Sequence, residues 1–155
     1  MMKNEFMQMA INLSIENIDK GGGPFGAVIV KGNKVIAASG NSVTNDNDPT
    51  AHAEINTIRA ASKKLGTFDL SGCEIYSSCE PCPMCLGAIY WARIDKLYFA
   101  NTKKDADAIG FSDNFIYDEL EKPYQERNLK TETMMREEAQ EAFLKWMNSE
   151  NKTEY

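Results

Sequence analysis

Residues 77–93, which read SSCEPCPMCLGAIYWAR, contain the most chemically informative side chains of the sequence. Cys82 and Cys85 lie three positions apart, and a proline stands on each side of Cys82. Because proline is favoured in the first turn of a helix, this stretch predicts a helix from about Cys82 to Trp91. Both thiols then lie on its first turn and point the same way. An apolar strand pattern, EIYSS, precedes the predicted helix, and another, KLYFA, follows it.

The rest of the chain extends this pattern into an α/β domain. FGAVIV and VIAAS flank KGNK and predict a β-hairpin, and the polar stretch GNSVTNDNDPT predicts a loop. The opening segment, AHAEINTIRAASKKL, DADAIG, DNFIYDELE and MREEAQEAFLKWM predict helices. Strands that alternate with helices predict one mixed sheet with helices on both faces. The chain contains no linker or repeat, so we expect a single domain over residues 1–155.

Composition narrows the function classes. The chain has 155 residues, of which 43% are hydrophobic and 26% charged, and its net charge of −6 disfavours a nucleic-acid partner. No apolar run reaches the ~18 residues of a membrane span, and the opening MMKNEFMQMA lacks the apolar core of a signal peptide. We therefore expect a cytoplasmic protein without a membrane partner. In a reducing compartment, clustered cysteines favour metal binding or catalysis over disulfides.

The only histidine supplies a third candidate metal ligand. His52 lies in TAHAEI, at the start of another predicted helix, and two helices that start at one sheet edge can aim their first turns at one point. One imidazole with the Cys82 and Cys85 thiolates predicts a zinc site whose fourth position stays open for water, the pattern of catalytic zinc. The alternatives are two packed core cysteines, or a closed structural site with Cys79 as the fourth ligand. Because Cys79 precedes the predicted helix turn and Cys73 lies farther away, we expect both to be unligated.

These residues carry a family resemblance. H-A-E followed by P-C-P-M-C matches the H-x-E…P-C-x-x-C signature of the zinc-dependent cytidine deaminase superfamily. Within it the chain resembles the short bacterial guanine deaminases through GGPFGAVIV, NDPTAHAE, SCEPCPMCLGAIYWAR and the final tyrosine. The resemblance implies a three-layer α/β/α sandwich with a central five-stranded mixed sheet. It also implies one Zn²⁺ per chain and hydrolytic deamination of guanine to xanthine and ammonia.

The reaction needs a proton carrier, because an amine leaves poorly unless it is protonated. Glu54 follows His52 by two positions, and we expect it to move a proton from water to a ring nitrogen and then to the leaving amine. The competing interpretation is an exposed helical glutamate.

The resemblance also implies a set of substrate contacts. Plainer interpretations are a loop residue for Asn41, core residues for Phe25 and Trp91, and a helix cap for Asp113. Asp113 is further expected to assist proton transfer. The implied contacts are Phe25, Asn41, Ala53, Trp91, Asp113 and Tyr155.

The C-terminus, WMNSENKTEY, has the composition of a frayed tail. The resemblance implies instead that a segment of about residues 130–155 is exchanged between the two subunits of a homodimer. Tyr155 would then cap the neighbouring pocket and exclude water from it.

Three other functions compete with guanine deamination. A tRNA-specific adenosine deaminase shares the signature but needs a basic face for its RNA, whereas this chain is acidic. A deaminase of a related aminopurine, a nucleoside or cytosine is the second alternative. A zinc-binding module without catalysis is the third, and it has no use for Glu54.

Overall fold

A mixed sheet lies at the centre of the computed structural model, which describes residues 2–155. Its strand order is β2-β1-β3-β4. The hairpin partner β2 and the strand β3 both pair antiparallel with β1, whereas β4 runs parallel to β3. The strands are β1 (Gly26–Lys31), β2 (Lys34–Gly40), β3 (Cys73–Cys79) and β4 (Lys96–Asn101).

The sheet has four strands in residues 2–155, so the expectation of five was wrong. After β4 the chain turns helical at once, because Thr102 and Asp105 form a reciprocal capping box at the start of the next helix. Farther along, residues 114–121 have the 3.6-residue apolar period of an amphipathic helix rather than the two-residue alternation of a strand. Residues 102–155 therefore contribute no strand to the sheet.

Seven α-helices and one 3₁₀ turn complete the fold of residues 2–155. The predicted polar loop contains one of them, the four-residue helix α2. The helices are α1 (Lys3–Asp19), α2 (Val43–Asp46), α3 (Ala53–Leu65), α4 (Pro83–Trp91), α5 (Lys103–Ala108), α6 (Asn114–Glu121) and α7 (Arg136–Met147), and the 3₁₀ turn is Tyr124–Glu126.

Helices cover both faces of the sheet, as the alternation of strands and helices predicted. Successive residues of a strand point to opposite faces, and β1 is apolar on both. Val28 and Val30 pack with Phe6 of α1 on one face. Ala27 and Ile29 pack on the other face, against buried residues of α3 and α4. Both helices that carry the signature are thus fixed to the same face of the sheet.

The chain forms two compact units. The first ends at Asn114 and contains the sheet, and the second is Phe115–Tyr155. In the second unit Glu119 accepts hydrogen bonds from the Lys122 ammonium (2.5 Å) and the Asn128 amide (2.7 Å), and the Lys122 bond in particular lowers the pKa of Glu119.

Within residues 2–155, no helix combines the length and the apolarity that a membrane crossing requires.

Candidate metal centre and active site

Two helix starts bring the signature residues together. His52 is the N-cap of α3 and Cys82 is the N-cap of α4, both in extended conformation. Pro83 occupies the first turn of α4, and the Cys85 amide donates to the Cys82 sulfur (3.5 Å). Because a helix N-terminus carries partial positive charge, it favours the thiolate form of Cys82.

The three donors have the geometry of a zinc site. His52 Nδ1 lies 3.5 Å from Cys82 Sγ and 3.5 Å from Cys85 Sγ. Tetrahedral Zn–S and Zn–N bonds of about 2.3 and 2.0 Å place such donors about 3.6 Å apart. All three ligand atoms lie within 4.8 Å of one another, and no other His, Cys, Asp or Glu group in residues 2–155 is arranged to hold a metal. The separations of the imidazole from both sulfurs therefore match those of a tetrahedral zinc site.

The charges at the site also favour a dication. A hydrogen bond from the Cys85 thiol lowers the pKa of Cys82 to about 4, with a further contribution from His52. The same bond, together with burial and the nearby Glu54 charge, raises the pKa of Cys85. A bond to Cys82 raises the pKa of His52. The first thiolate thus opposes the second until a cation is present between them.

Glu54 lies in the first turn of α3 beside the ligands and is 7% exposed. Its Oε1 accepts a hydrogen bond from Ser77 Oγ (3.1 Å), and its Oε2 lies 3.4 Å from the Cys85 sulfur. Burial raises the pKa of its carboxyl. The alternative of an exposed glutamate is therefore wrong. Ser77 went unnoticed in the sequence, where the only signal is a polar residue in a buried strand.

The other two cysteines lie outside the ligand group. Cys79 Sγ donates to the Thr102 carbonyl (3.7 Å), and burial raises its pKa to about 11, so it stays a thiol. Cys73 begins β3, a strand length of about 20 Å from Cys79, and is buried in the core. A closed site with Cys79 as fourth ligand is therefore not formed by the described residues.

Asn41 and Phe25 lie in a network that leads to His52. The Asn41 backbone amide donates to the Phe25 carbonyl (3.1 Å). The Asn41 side-chain oxygen Oδ1 accepts from the Val43 backbone amide (3.2 Å). The next residue along, Ser42, donates its amide to the Ala51 carbonyl (2.9 Å), directly before His52. Asn41 is 9% exposed, so it is a buried side chain rather than an ordinary loop asparagine.

Asp113 precedes α6 and brings a second carboxyl toward the metal ligands. Its Oδ1 is buried and has no hydrogen-bond partner among residues 2–155. Burial raises the pKa of Asp113, and the negative charge of Cys82 raises it further. No sequence pattern indicates that one of its oxygens is unpaired.

The remaining predicted contacts differ in how far they are buried. Ala53 is fully buried in the core beside the ligands. Phe25 packs edge-on against Phe111, with ring centroids 4.9 Å apart. Trp91 ends α4 and is 66% exposed, and Tyr155, in the second compact unit, is 73% exposed.

Comparisons with known proteins agree with this geometry. The family described as "Cytidine and deoxycytidylate deaminase zinc-binding region" matches residues 1–101. Guanine deaminase of Bacillus subtilis is 50% identical over 151 residues, 97% of each chain. The X-ray structure of guanine deaminase from the same species matches with a TM-score of 0.97 at 49% identity, covering 100% of this chain and 99% of that one. A tRNA-specific adenosine deaminase of Aquifex aeolicus is 37% identical over 142 residues, 91% of each chain.

Proposed function

Because the chain belongs to the cytidine and deoxycytidylate deaminase family, we propose that it is a zinc-dependent guanine deaminase that hydrolyses guanine to xanthine and ammonia. Such an enzyme is a hydrolase of the carbon–nitrogen bond of a cyclic amidine. The observation that carries the proposal is the buried Glu54 carboxylate beside a three-donor site of His52, Cys82 and Cys85. Full-length similarity to a guanine deaminase supports the choice of base.

His52, Cys82 and Cys85 would hold one zinc ion per chain. Three protein ligands leave a coordination position for a reacting group, whereas a structural site uses four. When bound, zinc lowers the pKa of water towards ~7 and so supplies hydroxide at neutral pH.

Glu54 is assigned the proton transfers. Its buried carboxylate takes a proton from water, delivers it to a ring nitrogen of the base and then helps to protonate the departing amine. A raised pKa suits this role, because a carboxyl that releases its proton closer to neutral pH can both accept and donate during one turnover.

Asn41 is assigned the recognition of the base edge. Its Oδ1 already accepts from the Val43 amide, which fixes the orientation of the side-chain amide. An amide group both donates and accepts, so the remaining valences match a purine that presents both kinds of group. We assign Phe25 and Ala53 to the wall of the pocket, and Trp91 to its margin, as the resemblance implied.

Asp113 is assigned a second proton-transfer and substrate-contact role. The support is the buried and unpaired Oδ1, since a carboxylate oxygen without a partner is costly in a folded protein. A substrate N–H group would donate to this oxygen, and binding would then remove the cost of leaving it unpaired.

The active form is assigned as a homodimer that exchanges residues 130–155, each Tyr155 capping its neighbour's pocket within one deaminase domain per chain. The support lies in α7, which has no buried residue. Its Phe143, Trp146 and Met147 lie on one helical face and are 67%, 45% and 66% exposed in the single chain. An apolar helical face of this size needs a cover, and a second copy provides one.

A tRNA-specific adenosine deaminase is the second candidate, because such a relative covers 91% of this chain. The net charge of −6 weighs against it, since contacts to RNA phosphates need a basic surface. We assign a small purine as the partner, with no nucleic acid and no membrane, and a cytoplasmic location.

The proposal is tested by ammonia release from four substrates in parallel: guanine, guanosine, cytosine and an adenosine-containing anticodon hairpin. Zinc is measured in the same preparation. We expect turnover of guanine with about one zinc per chain. Turnover of the hairpin or of cytosine, with no turnover of guanine, would refute guanine as the substrate. Zinc binding without turnover of any of the four would indicate a binding module.

A further inference from the structure

Ser77 donates a hydrogen bond to one oxygen of the Glu54 carboxylate, and Cys85 lies beside the other oxygen. Ser77 lies in β3, paired with Ala27 of β1 and Phe99 of β4, so its backbone is fixed by strands on both sides. It is 2% exposed, and its hydroxyl donates to Glu54 Oε1 at 3.1 Å. A hydroxyl on a central strand therefore anchors a carboxylate that extends from a helix.

The two oxygens of Glu54 are in different environments. Oε1 receives the Ser77 hydroxyl, whereas Oε2 lies 3.4 Å from Cys85 Sγ. A cysteine that binds zinc does so as a thiolate, and a thiolate has no proton to donate. Of these two side-chain donors to Glu54, only Ser77 then remains, and it donates to Oε1.

We propose that Ser77 is a positioning residue for the deamination reaction. It fixes Oε1 of Glu54 so that Oε2, on the side of the metal ligands, is the oxygen that carries the proton. This inference rests on the proposed function. Without the Ser77 hydroxyl the carboxylate can rotate about its terminal torsion, which is broad for glutamate, and the proton-carrying oxygen loses its alignment.

The plainer alternative is that Ser77 donates to Glu54 only to satisfy its own buried hydroxyl. The two interpretations differ in what its loss should change. A structural serine affects stability and leaves the chemical step intact. A positioning serine affects kcat, with KM and zinc content unchanged.

The test compares Ser77→Thr with Ser77→Val. Threonine and valine have the same shape, so both variants introduce the same extra bulk and differ only in the hydroxyl. Ser78→Ala is the matched control, because Ser78 is an equally buried neighbour (3% exposed). Its hydroxyl accepts from the Gly26 amide (3.0 Å) rather than donating to Glu54. For each zinc-loaded variant, kcat, KM, zinc content and a crystal structure are determined.

We expect kcat of Ser77→Val to be about 10- to 100-fold below that of Ser77→Thr, with KM within about twofold and one zinc in both. The Glu54 carboxylate should be turned in the valine crystal and native-like in the threonine crystal. Ser78→Ala should lower the melting temperature and keep kcat. Equal kcat in the threonine and valine variants, or a native-like Glu54 in the valine crystal, would overturn the proposal. The crystal comparison does not depend on guanine as substrate, so failure of the proposed function is separately visible as an inactive wild type.

Discussion

Asp113 gives the sharpest prediction, because its two interpretations predict opposite signs of a stability change. The Asp113 Oδ1 is buried without a hydrogen-bond partner among residues 2–155. A buried polar atom left unpaired costs about 1–3 kcal/mol. Asp113→Ala removes this cost along with a few packing contacts, so the free energy of unfolding should rise by about 1 kcal/mol. If Asp113 takes part in proton transfer, kcat on guanine should fall about 100-fold or more.

The helix-cap interpretation predicts the reverse. Loss of an N-cap aspartate costs about 1 kcal/mol of stability and should leave the chemistry intact. Urea unfolding is compared at pH 7 with saturating zinc and one fixed protein concentration, because metal and dimer formation both add to apparent stability. Asp113→Asn is the matched variant, since asparagine also caps helices well. An Asp113→Ala protein that is less stable than the wild type and retains its kcat would refute the reasoning.

Three further predictions follow from the site. Glu54→Gln should keep one zinc per chain and lose nearly all ammonia release, and retention of more than about a few per cent of kcat with full zinc would contradict the proton-carrier role. Cys82→Ser should abolish zinc in metal analysis, whereas Cys79→Ser should keep it, because the Cys79 thiol stays protonated and donates to a backbone carbonyl; zinc loss from the Cys79 variant would revive a four-ligand site. A chain lacking residues 151–155 and a full-length Glu54→Ala chain should each be inactive, and refolding them together should restore activity in mixed dimers. Mixed dimers that form and remain inactive would exclude the exchange of the tail.

The local elements and the metal donors followed from sequence alone. The hairpin of β1 and β2, the helix after Cys82 and the final helix all appear where short-range patterns predicted them. The zinc donors were also readable, because each stands at a helix start, and helix starts are marked by nearby prolines and helix formers. These features depend on interactions between residues close in the chain, so a single sequence contains the information.

The rest was decided by residues far apart in the chain. The hydrogen bond from Ser77 to Glu54 joins positions 23 residues apart, and no local pattern marks a serine in a strand as its donor. The burial of Asp113 Oδ1 depends on what packs around it. The number of strands in the sheet also depends on which distant segments pair through backbone hydrogen bonds. Sequence thus determined which chemical groups the chain carries and which helices present them. Tertiary packing determined which Glu54 oxygen accepts from Ser77 and which polar atoms are buried away from water. Burial and long-range hydrogen bonds arise only when distant segments of the chain meet.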